Sequence, residues 1–275
     1  MFATFPDMLR EKGIEVAVTY AKGCGFSGVE FFYSTGPQTP FPSEKEIIIY
    51  KNILNKERIE APCISCCVSL VRDDSPYEVD EDAVRFLCKR VRLAYELGVP
   101  YVHHTLYFRM KRGLDSERLM AACLEGAKRV AEYAGGLGVA ILYEPQGFYF
   151  NGMCGFSKFY DSIKTLTPNV GICADIGNTY WVDEEPYELL QKYASDIKHV
   201  HIKDYVMGGD STQDKTRGGT PISEVEIGCG VVELARFAEI LKSVDYQGYI
   251  SLEDNSPAPH AEKTARTMSL LNKLF

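Results

Sequence analysis

The chain lacks the features that would place it in a membrane or on a nucleic acid. It has no apolar run long enough to cross a bilayer, and its first residues, MFATFPDMLREKG, carry acids where a signal peptide needs an unbroken apolar stretch. It has no long basic segment, and its formal net charge is −8. We therefore predict a cytoplasmic protein with no membrane or nucleic acid partner.

Linkers and low-complexity tracts are also missing. No Ser, Pro or Gly-rich stretch and no shift of composition divides the 275 residues, of which 45% are hydrophobic. That content is ample for one large core, so we predict a single domain over residues 1–275.

Cysteines are not scarce, but their arrangement argues against disulfides. The chain has nine, an odd number, and Cys63, Cys66, Cys67 and Cys173 lie inside apolar runs. Cys63 and Cys66 have the spacing of a redox motif, yet they fall within a predicted strand and not at a helix start, where a thiolate would be stabilised. We predict reduced, buried thiols.

Short β-branched or aromatic runs alternate with amphipathic helical stretches along the whole chain. One helical stretch places Val84, Leu87 and Val91 on a single face. Strict alternation predicts parallel strands joined by helical crossovers, and eight units predict a closed (β/α)8 TIM barrel. The eight strand candidates are MFATF, GVEFF, CISCCVSL, VPYVHHTLYF, VAILYEP, VGICADI, IKHVHIKD and GYISLED.

Four of these strands end in a carboxylate or an imidazole. The residues are Glu144 in ILYEP, Asp175 in GICADIGN, His201 in HVHIKD and Glu253 in YISLED. In a barrel all four would lie at the C-terminal mouth, where the active site belongs. Because clustered carboxylates at buried strand ends repel one another, the pattern predicts a divalent metal ion among them.

The neighbours of these residues extend the prediction. Side chains two apart share a face of a strand, so His199 and Lys203 point inward with His201. Lys203 is a candidate substrate contact, and His199 is a candidate core or supporting residue. Asp204 could either orient His201 or cap the next segment. Only one of the adjacent His103 and His104 can face inward, and a core histidine is the expected role.

The order of these motifs resembles one family. The motifs, in order, are strand-Glu-Pro, Asp-x-Gly-Asn, His-x-His-x-Lys-Asp, a Gly-x-Gly loop at 228–230 and Tyr-x-Gly-Tyr-x-x-x-Glu. Their order is similar to that of the xylose-isomerase-like barrels, a family of sugar and sugar-phosphate isomerases and epimerases. The resemblance implies that the four strand-end residues bind one divalent ion, Mn2+ first and Mg2+, Co2+ or Zn2+ as alternatives. It also implies that Glu144 and Glu253 flank the reacting carbon, and that Glu30, at the end of strand two, faces the mouth as a substrate contact. The alternative for Glu30 is a pairing with a lysine in a lower layer of the barrel.

These residue types suit proton transfer next to the carbonyl of a ketose. One glutamate would remove the proton, the metal would stabilise the enediolate, and the other glutamate would return the proton. Return to the same carbon gives epimerisation and return to its neighbour gives isomerisation. A dehydratase acting on an inosose-like ring ketone would use the same enolate, and all three outcomes stay open.

Two functions of different classes are also considered. Apurinic endonucleases of this fold hold three zinc ions and need a histidine three residues after the strand-six aspartate, where this chain has Asn178. That departure and the acidic balance argue against a DNA nuclease. A non-catalytic sugar-binding barrel is the third alternative, and the four intact ligands argue against it.

A small sugar or polyol is the predicted partner. Asn178 could bind a substrate hydroxyl, and Trp181 with the loop GFYFNGMCGF could form an apolar wall against a sugar face or a contact in a homo-oligomer. The segment 206–227 is predicted to be a mobile lid, and Arg217 on it is a candidate anion clamp.

Overall fold

A computed structural model describes residues 1–4, 13–33, 39–209, 214–256 and 260–275. The strands are β1 (Phe2–Thr4), β2 (Gly28–Val29), β3 (Phe31–Tyr33), β4 (Cys63–Cys66), β5 (Tyr101–His104), β6 (Ala140–Tyr143), β7 (Val170–Asp175), β8 (Ile197–Ile202), β9 (Asp204–Met207), β10 (Asp214–Lys215), β11 (Pro221–Val225) and β12 (Ile250–Leu252). The α-helices are α1 (Ile14–Gly23), α2 (Glu44–Glu57), α3 (Glu81–Leu97), α4 (Ser116–Gly135), α5 (Gly152–Leu166), α6 (Tyr187–Lys192), α7 (Leu234–Ser243) and α8 (His260–Leu274).

Nine parallel strands form the barrel, in the order β2, β1, β12, β8, β7, β6, β5, β4, β3. β2 and β3 are separated only by Glu30; β2 pairs with β1 and β3 pairs with β4. The two short strands therefore occupy one barrel position, which gives eight positions in all. This confirms the predicted single-domain TIM barrel and adds a break in strand two that the sequence pattern does not reveal.

The helices form because their ends are capped and one face of each is apolar. α3 shows both features: the Asp80 carboxylate accepts hydrogen bonds from the N–H groups of Asp82 and Ala83, at 2.9 and 3.1 Å. The helix ends at Gly98, whose φ of 74° lies in the left-handed region that glycine adopts without strain. Its buried face, which includes Leu87 and Val91, packs in the main hydrophobic core.

The barrel interior changes character along its axis. Cys63, Leu142 and Cys173 form a small apolar cluster against Tyr101. The interior also holds fully buried polar side chains, which are tolerable only because they are hydrogen-bonded to one another. The cysteines are free thiols, and burial raises the pKa of Cys66 to about 12. The structure thus supports a packing role for the Cys63–Cys66 pair.

The segment predicted to be a mobile lid contains paired strands where the composition had indicated a loop. Within residues 206–227, β9 and β11 pair antiparallel, with Met207 opposite Ile222, and β10 pairs with β11. The segment is a three-stranded sheet, because Ile222 is fully buried and its strand satisfies the backbone groups of β9. Residues 210–213 of this segment lie outside the described residues.

One further finding concerns the helices. Across the described ranges, none of them is both long enough and apolar enough to span a bilayer.

Candidate active site

Glu144, Asp175, His201 and Glu253 converge at the C-terminal mouth of the barrel. His201 Nδ1 lies 3.3 Å from Glu144 Oε2 and 3.8 Å from Glu253 Oε2. Lys203 Nζ joins the other two acids, 2.9 Å from Asp175 Oδ2 and 2.8 Å from Glu253 Oε2. The four predicted strand-end residues therefore meet in one cluster, with Lys203 inside it.

The turn after β7 fixes the direction of Asp175. Its Oδ1 accepts hydrogen bonds from the N–H groups of Gly177 and Asn178, both at 2.9 Å, which leaves Oδ2 to face the cluster. Gly177 is required here because a Cβ at this position would lie 2.5 Å from Cγ of Lys203 and 2.7 Å from the Tyr205 ring. The Asp-x-Gly-Asn motif thus lets Lys203 pass close to the backbone.

His201 is held from below by Glu30. The Nε2–H of His201 donates to Glu30 Oε1 at 3.0 Å, and His199 Nε2 donates to Glu30 Oε2 at 2.7 Å. Glu30 is fully buried. The expectation that Glu30 contacts substrate at the mouth is therefore corrected: it lies beneath the cluster, and both of its oxygens are taken by histidines.

His103 is a member of the site that the sequence analysis did not select. Its Nε2 lies 3.5 Å from Glu144 Oε1, and its Nδ1 lies 3.0 Å from the Ser65 hydroxyl. His104 instead packs its ring edge-on against Tyr143, with centroids 5.1 Å apart, and is the core histidine. Ser65 and His103 are register partners on β4 and β5 and therefore face the same way, so the pairing of these strands turns His103, and not His104, toward the site.

Glu144 is held as a carboxylate. Burial opposes its ionisation, but the adjacent His103 and His201 outweigh burial and keep the pKa of Glu144 below its ordinary value. Glu144 is therefore ionised in the metal-free protein at neutral pH.

Glu253 behaves in the opposite way. Burial and the charge of Asp175 raise the pKa of Glu253 to about 7, against the lowering effect of Lys203. Its side chain retains about a quarter of its exposure, so solvent moderates the effect of burial. Burial likewise raises the pKa of Asp175, while Asp175 and Glu253 together keep the pKa of Lys203 well above its usual value despite burial. The two glutamates thus have pKa values pushed apart, as an acid and base pair requires.

The donor set suits one hard divalent ion. Among the described residues, three groups of possible ligands share His201, and the donor atoms in each group lie within 4.8 Å of one another. Two of the groups lie at the mouth, His103 with Glu144 and Asp175 with Glu253, and the third contains Glu30 and His199. Glu144 Oε2 is buried and accepts no hydrogen bond from the described residues. A dication bound here would favour the ionised form of all three carboxylates, including Asp175 and Glu253, whose pKa values are raised by burial. The residues present can therefore hold a metal ion.

Two of the predicted substrate contacts, Asn178 and Trp181, lie in the short 3-10 helix Asn178–Val182 that follows β7. Asn178 is buried, its Oδ1 lies 3.4 Å from Lys203 Nζ, and its Nδ2 has no hydrogen-bond partner in the described part of the chain. Trp181 packs edge-on against Tyr205, with ring centroids 6.0 Å apart. Asn178 is thus the candidate that reaches the cluster, through Lys203.

Arg217 is already engaged. Its guanidinium donates to the carbonyl oxygens of Phe148 and Val182, at 3.2 and 3.5 Å, and lies 3.6 Å from Glu184. The structure therefore gives Arg217 a role in joining loops, and its role as an anion clamp stays a prediction.

Asp204 does not orient His201. Its Oδ2 accepts from the N–H groups of Gly228 and Gly230, and its Oδ1 accepts from those of Tyr205 and Val232, all between 2.8 and 3.0 Å. Of the two alternatives for Asp204, the structure supports local organisation of the chain, here of the Gly-x-Gly loop.

Comparisons with known proteins agree with this architecture. The sequence model of a family described as xylose isomerase-like TIM barrel matches residues 18–274. An inosose dehydratase from Clostridium beijerinckii is 24% identical over 272 residues, which covers 92% of this chain and 86% of that protein.

Solved structures share the fold at low identity. A probable 3-DHS dehydratase from Bacillus anthracis has a TM-score of 0.75 and 16% identity, covering 98% of both chains. A 3-keto-D-glucoside 4-epimerase from E. coli has a TM-score of 0.73 and 15% identity, covering 99% of this chain and 98% of that one. A xylose isomerase-like TIM barrel protein from Mycobacterium smegmatis, in complex with magnesium, has a TM-score of 0.70 and 15% identity, covering 94% of this chain and 87% of that one.

Proposed function

The chain belongs to the xylose isomerase-like TIM barrel family, and from that premise we propose that it is a metal-dependent enzyme that removes a proton beside the carbonyl of a small polyhydroxylated ketone. The observation that carries the proposal is the pair Glu144 and Glu253. Both border His201 in one buried cluster, and their pKa values are shifted in opposite directions. Family members with dehydratase and epimerase activities share the fold.

Glu144, Asp175, His201 and Glu253 would hold one divalent ion, with Mn2+ as the first choice. The magnesium complex of a structural neighbour supports a hard dication but does not decide which one. When bound, such an ion supplies positive charge that stabilises negative charge on a substrate oxygen.

The protein residues divide the proton transfers between them. Glu144, ionised at neutral pH, accepts the proton from the carbon next to the carbonyl, and His103 lies beside the carboxylate that receives it. Glu253, with its pKa near neutrality, donates a proton in the second half of the reaction. The free Nδ2 of Asn178 is placed to donate to a substrate oxygen near Lys203.

The first candidate outcome is epimerisation or isomerisation, in which Glu253 returns the proton to carbon. A second candidate is dehydration, and the inosose dehydratase relative favours it. In that outcome the C–H and the neighbouring C–O bonds both break, and the proton from Glu253 leaves with the hydroxyl group as water.

We propose a neutral or singly anionic substrate. Lys203 is the cation within the cluster, and its charge is already met by Asp175 and Glu253 at 2.9 and 2.8 Å. A bisphosphate would therefore find no unopposed positive charge at these residues.

A substrate panel in deuterated water tests the proposal. Protein loaded with Mn2+ would be incubated with ketoses, inososes and singly phosphorylated sugars, and the products analysed by NMR and mass spectrometry. We expect deuterium at one carbon of one substrate class, with an unchanged formula for an epimerase or isomerase and a loss of water for a dehydratase. Protein treated with a chelator is the control. Absence of exchange across the panel in fully metal-loaded protein would overturn the proposal.

A further inference from the structure

Glu30 occupies an unusual position for a carboxylate. It lies at the break between β2 and β3, has no exposed surface, and accepts hydrogen bonds from the side chains around it. Its Oε2 accepts from His199, and its Oε1 accepts from both His201 and the Ser65 hydroxyl. A buried carboxylate is costly, so these bonds must be made for the fold to keep it.

The bond to His201 decides which ring nitrogen is available. Because the Nε2–H of His201 donates to Glu30 at 3.0 Å, Nε2 would keep its proton when a metal ion binds, and Nδ1 would be the nitrogen that coordinates the ion. Nδ1 is the atom that faces Glu144 and Glu253, at 3.3 and 3.8 Å. Glu30 therefore points the coordinating nitrogen toward the other ligands.

A second path connects Glu30 to Glu144. The Ser65 hydroxyl donates to Glu30, so the same oxygen is left to accept from His103 Nδ1 at 3.0 Å. This fixes the His103 ring with Nε2 against Glu144 Oε1, at 3.5 Å. One buried carboxylate thus orders two of the four metal ligands, His201 directly and Glu144 through Ser65 and His103.

We propose that Glu30 is a positioning residue that selects Nδ1 of His201 as the metal-binding nitrogen and holds Glu144 in register with it. The inference rests on the metal site of the proposed function and not on the reaction it catalyses. A packing role alone would leave metal affinity unchanged once the protein is folded. A positioning role requires affinity to fall in a folded variant.

Glu30→Gln tests this with little change of shape. The carboxylate accepts from Ser65, His199 and His201, whereas the amide has one acceptor oxygen and one NH2 group. Either His201 or His199 must therefore face a donor in the variant. We expect the Mn2+ dissociation constant to rise about 10- to 100-fold, the range typical of lost outer-shell partners of metal ligands. The measurement is Mn2+ titration by electron paramagnetic resonance at fixed pH, with folding checked by circular dichroism.

Ser251→Ala is the matched control. Ser251 is also fully buried, and its hydroxyl contacts His199 Nε2 at 3.1 Å. We expect its Mn2+ affinity to stay within about threefold of the wild type, because it leaves the Glu30 bonds to His201 and Ser65 intact. Equal losses in both variants would indicate a general packing effect and overturn the proposal.

A measurement on the wild type tests the same inference without the variant, in case Glu30→Gln does not fold. Protein with 15N-labelled histidine and bound Mg2+ would be examined by long-range 15N–1H correlation, with His201 assigned from the spectrum of His201→Asn. We expect a proton on Nε2 and none on Nδ1. A proton on Nδ1 would overturn the inference.

The two proposals can fail separately. If Glu30→Gln binds Mn2+ as tightly as the wild type, the inference on Glu30 is wrong, whatever the activity. If Glu30→Gln loses metal affinity but the wild type exchanges no substrate proton, the inference stands and the proposed function is wrong.

Discussion

His104 should make the protein markedly less stable in mild acid. The side chain is fully buried against Tyr143, and its Nδ1–H donates to the Thr105 carbonyl at 2.8 Å. Burial lowers the pKa of His104 from 6.5 to about 4. Between these two pH values the side chain is therefore mostly neutral in the folded protein and mostly protonated in the unfolded chain. The stability that this neutral histidine contributes is present above pH 6.5 and is lost progressively as the pH falls toward 4.

The size of the effect follows from the two pKa values. Between pH 7 and pH 5, proton uptake by the unfolded chain should lower the free energy of unfolding by about 2 kcal/mol through His104 alone. His104→Asn removes this term while keeping a donor near the position of Nδ1 for the Thr105 carbonyl. The variant is expected to be less stable at pH 7, since it loses ring packing against Tyr143.

Urea denaturation at pH 7, 6 and 5 provides the assay. Between pH 7 and pH 5 the free energy of unfolding should fall by about 2 kcal/mol more in the wild type than in His104→Asn. This expectation does not depend on how much the two proteins differ in stability at pH 7. Each protein serves as its own reference, because every other titrating group is common to both. Parallel pH dependences, within about 0.5 kcal/mol, would show that His104 is not held neutral by burial.

Four further substitutions test the site and the residues that support it. Glu144→Gln and Glu253→Gln should each lower substrate deuterium exchange at least about 100-fold in folded, metal-supplied protein, and near wild-type exchange by NMR in either would remove that glutamate from the mechanism. Lys203→Met leaves Asp175 and Glu253 without their ammonium partner, so the free energy of unfolding of the metal-free protein should fall by about 2 to 3 kcal/mol. Added Mn2+ should raise the stability of this variant by more than it raises that of the wild type. A calorimetric scan that shows equal Mn2+ shifts in both would contradict this. Asp204→Asn replaces one oxygen that accepts hydrogen bonds from two backbone N–H groups, so we expect the free energy of unfolding, measured by chemical denaturation, to fall by about 2 to 3 kcal/mol. Protease cleavage near residue 230 should also become faster. Unchanged stability would refute the role of Asp204 in the loop.

The sequence predicts the barrel well because its signals are local. Each strand is a short apolar run followed by a helix with a regular apolar face, and alternation alone implies parallel strands and a shared mouth. The antiparallel pairing of β9 with β11 was missed because glycine, aspartate and threonine predominate there, a composition that indicates a loop. The pairing depends on the burial of Ile222, which is a tertiary effect.

The sequence predicted that four strand-end residues converge at the mouth, but it did not predict how deep the residues around them lie. The alternation of apolar residues along a strand does not show how deep in the barrel a side chain lies. Glu30 was therefore expected at the mouth, although it lies beneath His201. The choice between His103 and His104 depends on which face of β5 points inward, and that is set by pairing with β4. The four hydrogen bonds to Asp204 come from residues up to 28 positions away, a distance at which spacing in the sequence gives no guide.

A crystal structure of protein soaked in Mn2+, with anomalous diffraction collected near the manganese edge, tests the central claim most directly. We expect one anomalous peak per chain, about 2.0 to 2.4 Å from carboxylate oxygens of Glu144, Asp175 and Glu253 and from Nδ1 of His201. Bridging Lys203 should then have withdrawn from at least one of its two carboxylates. A peak elsewhere, coordination through Nε2 of His201, or no peak at millimolar Mn2+ would contradict the account.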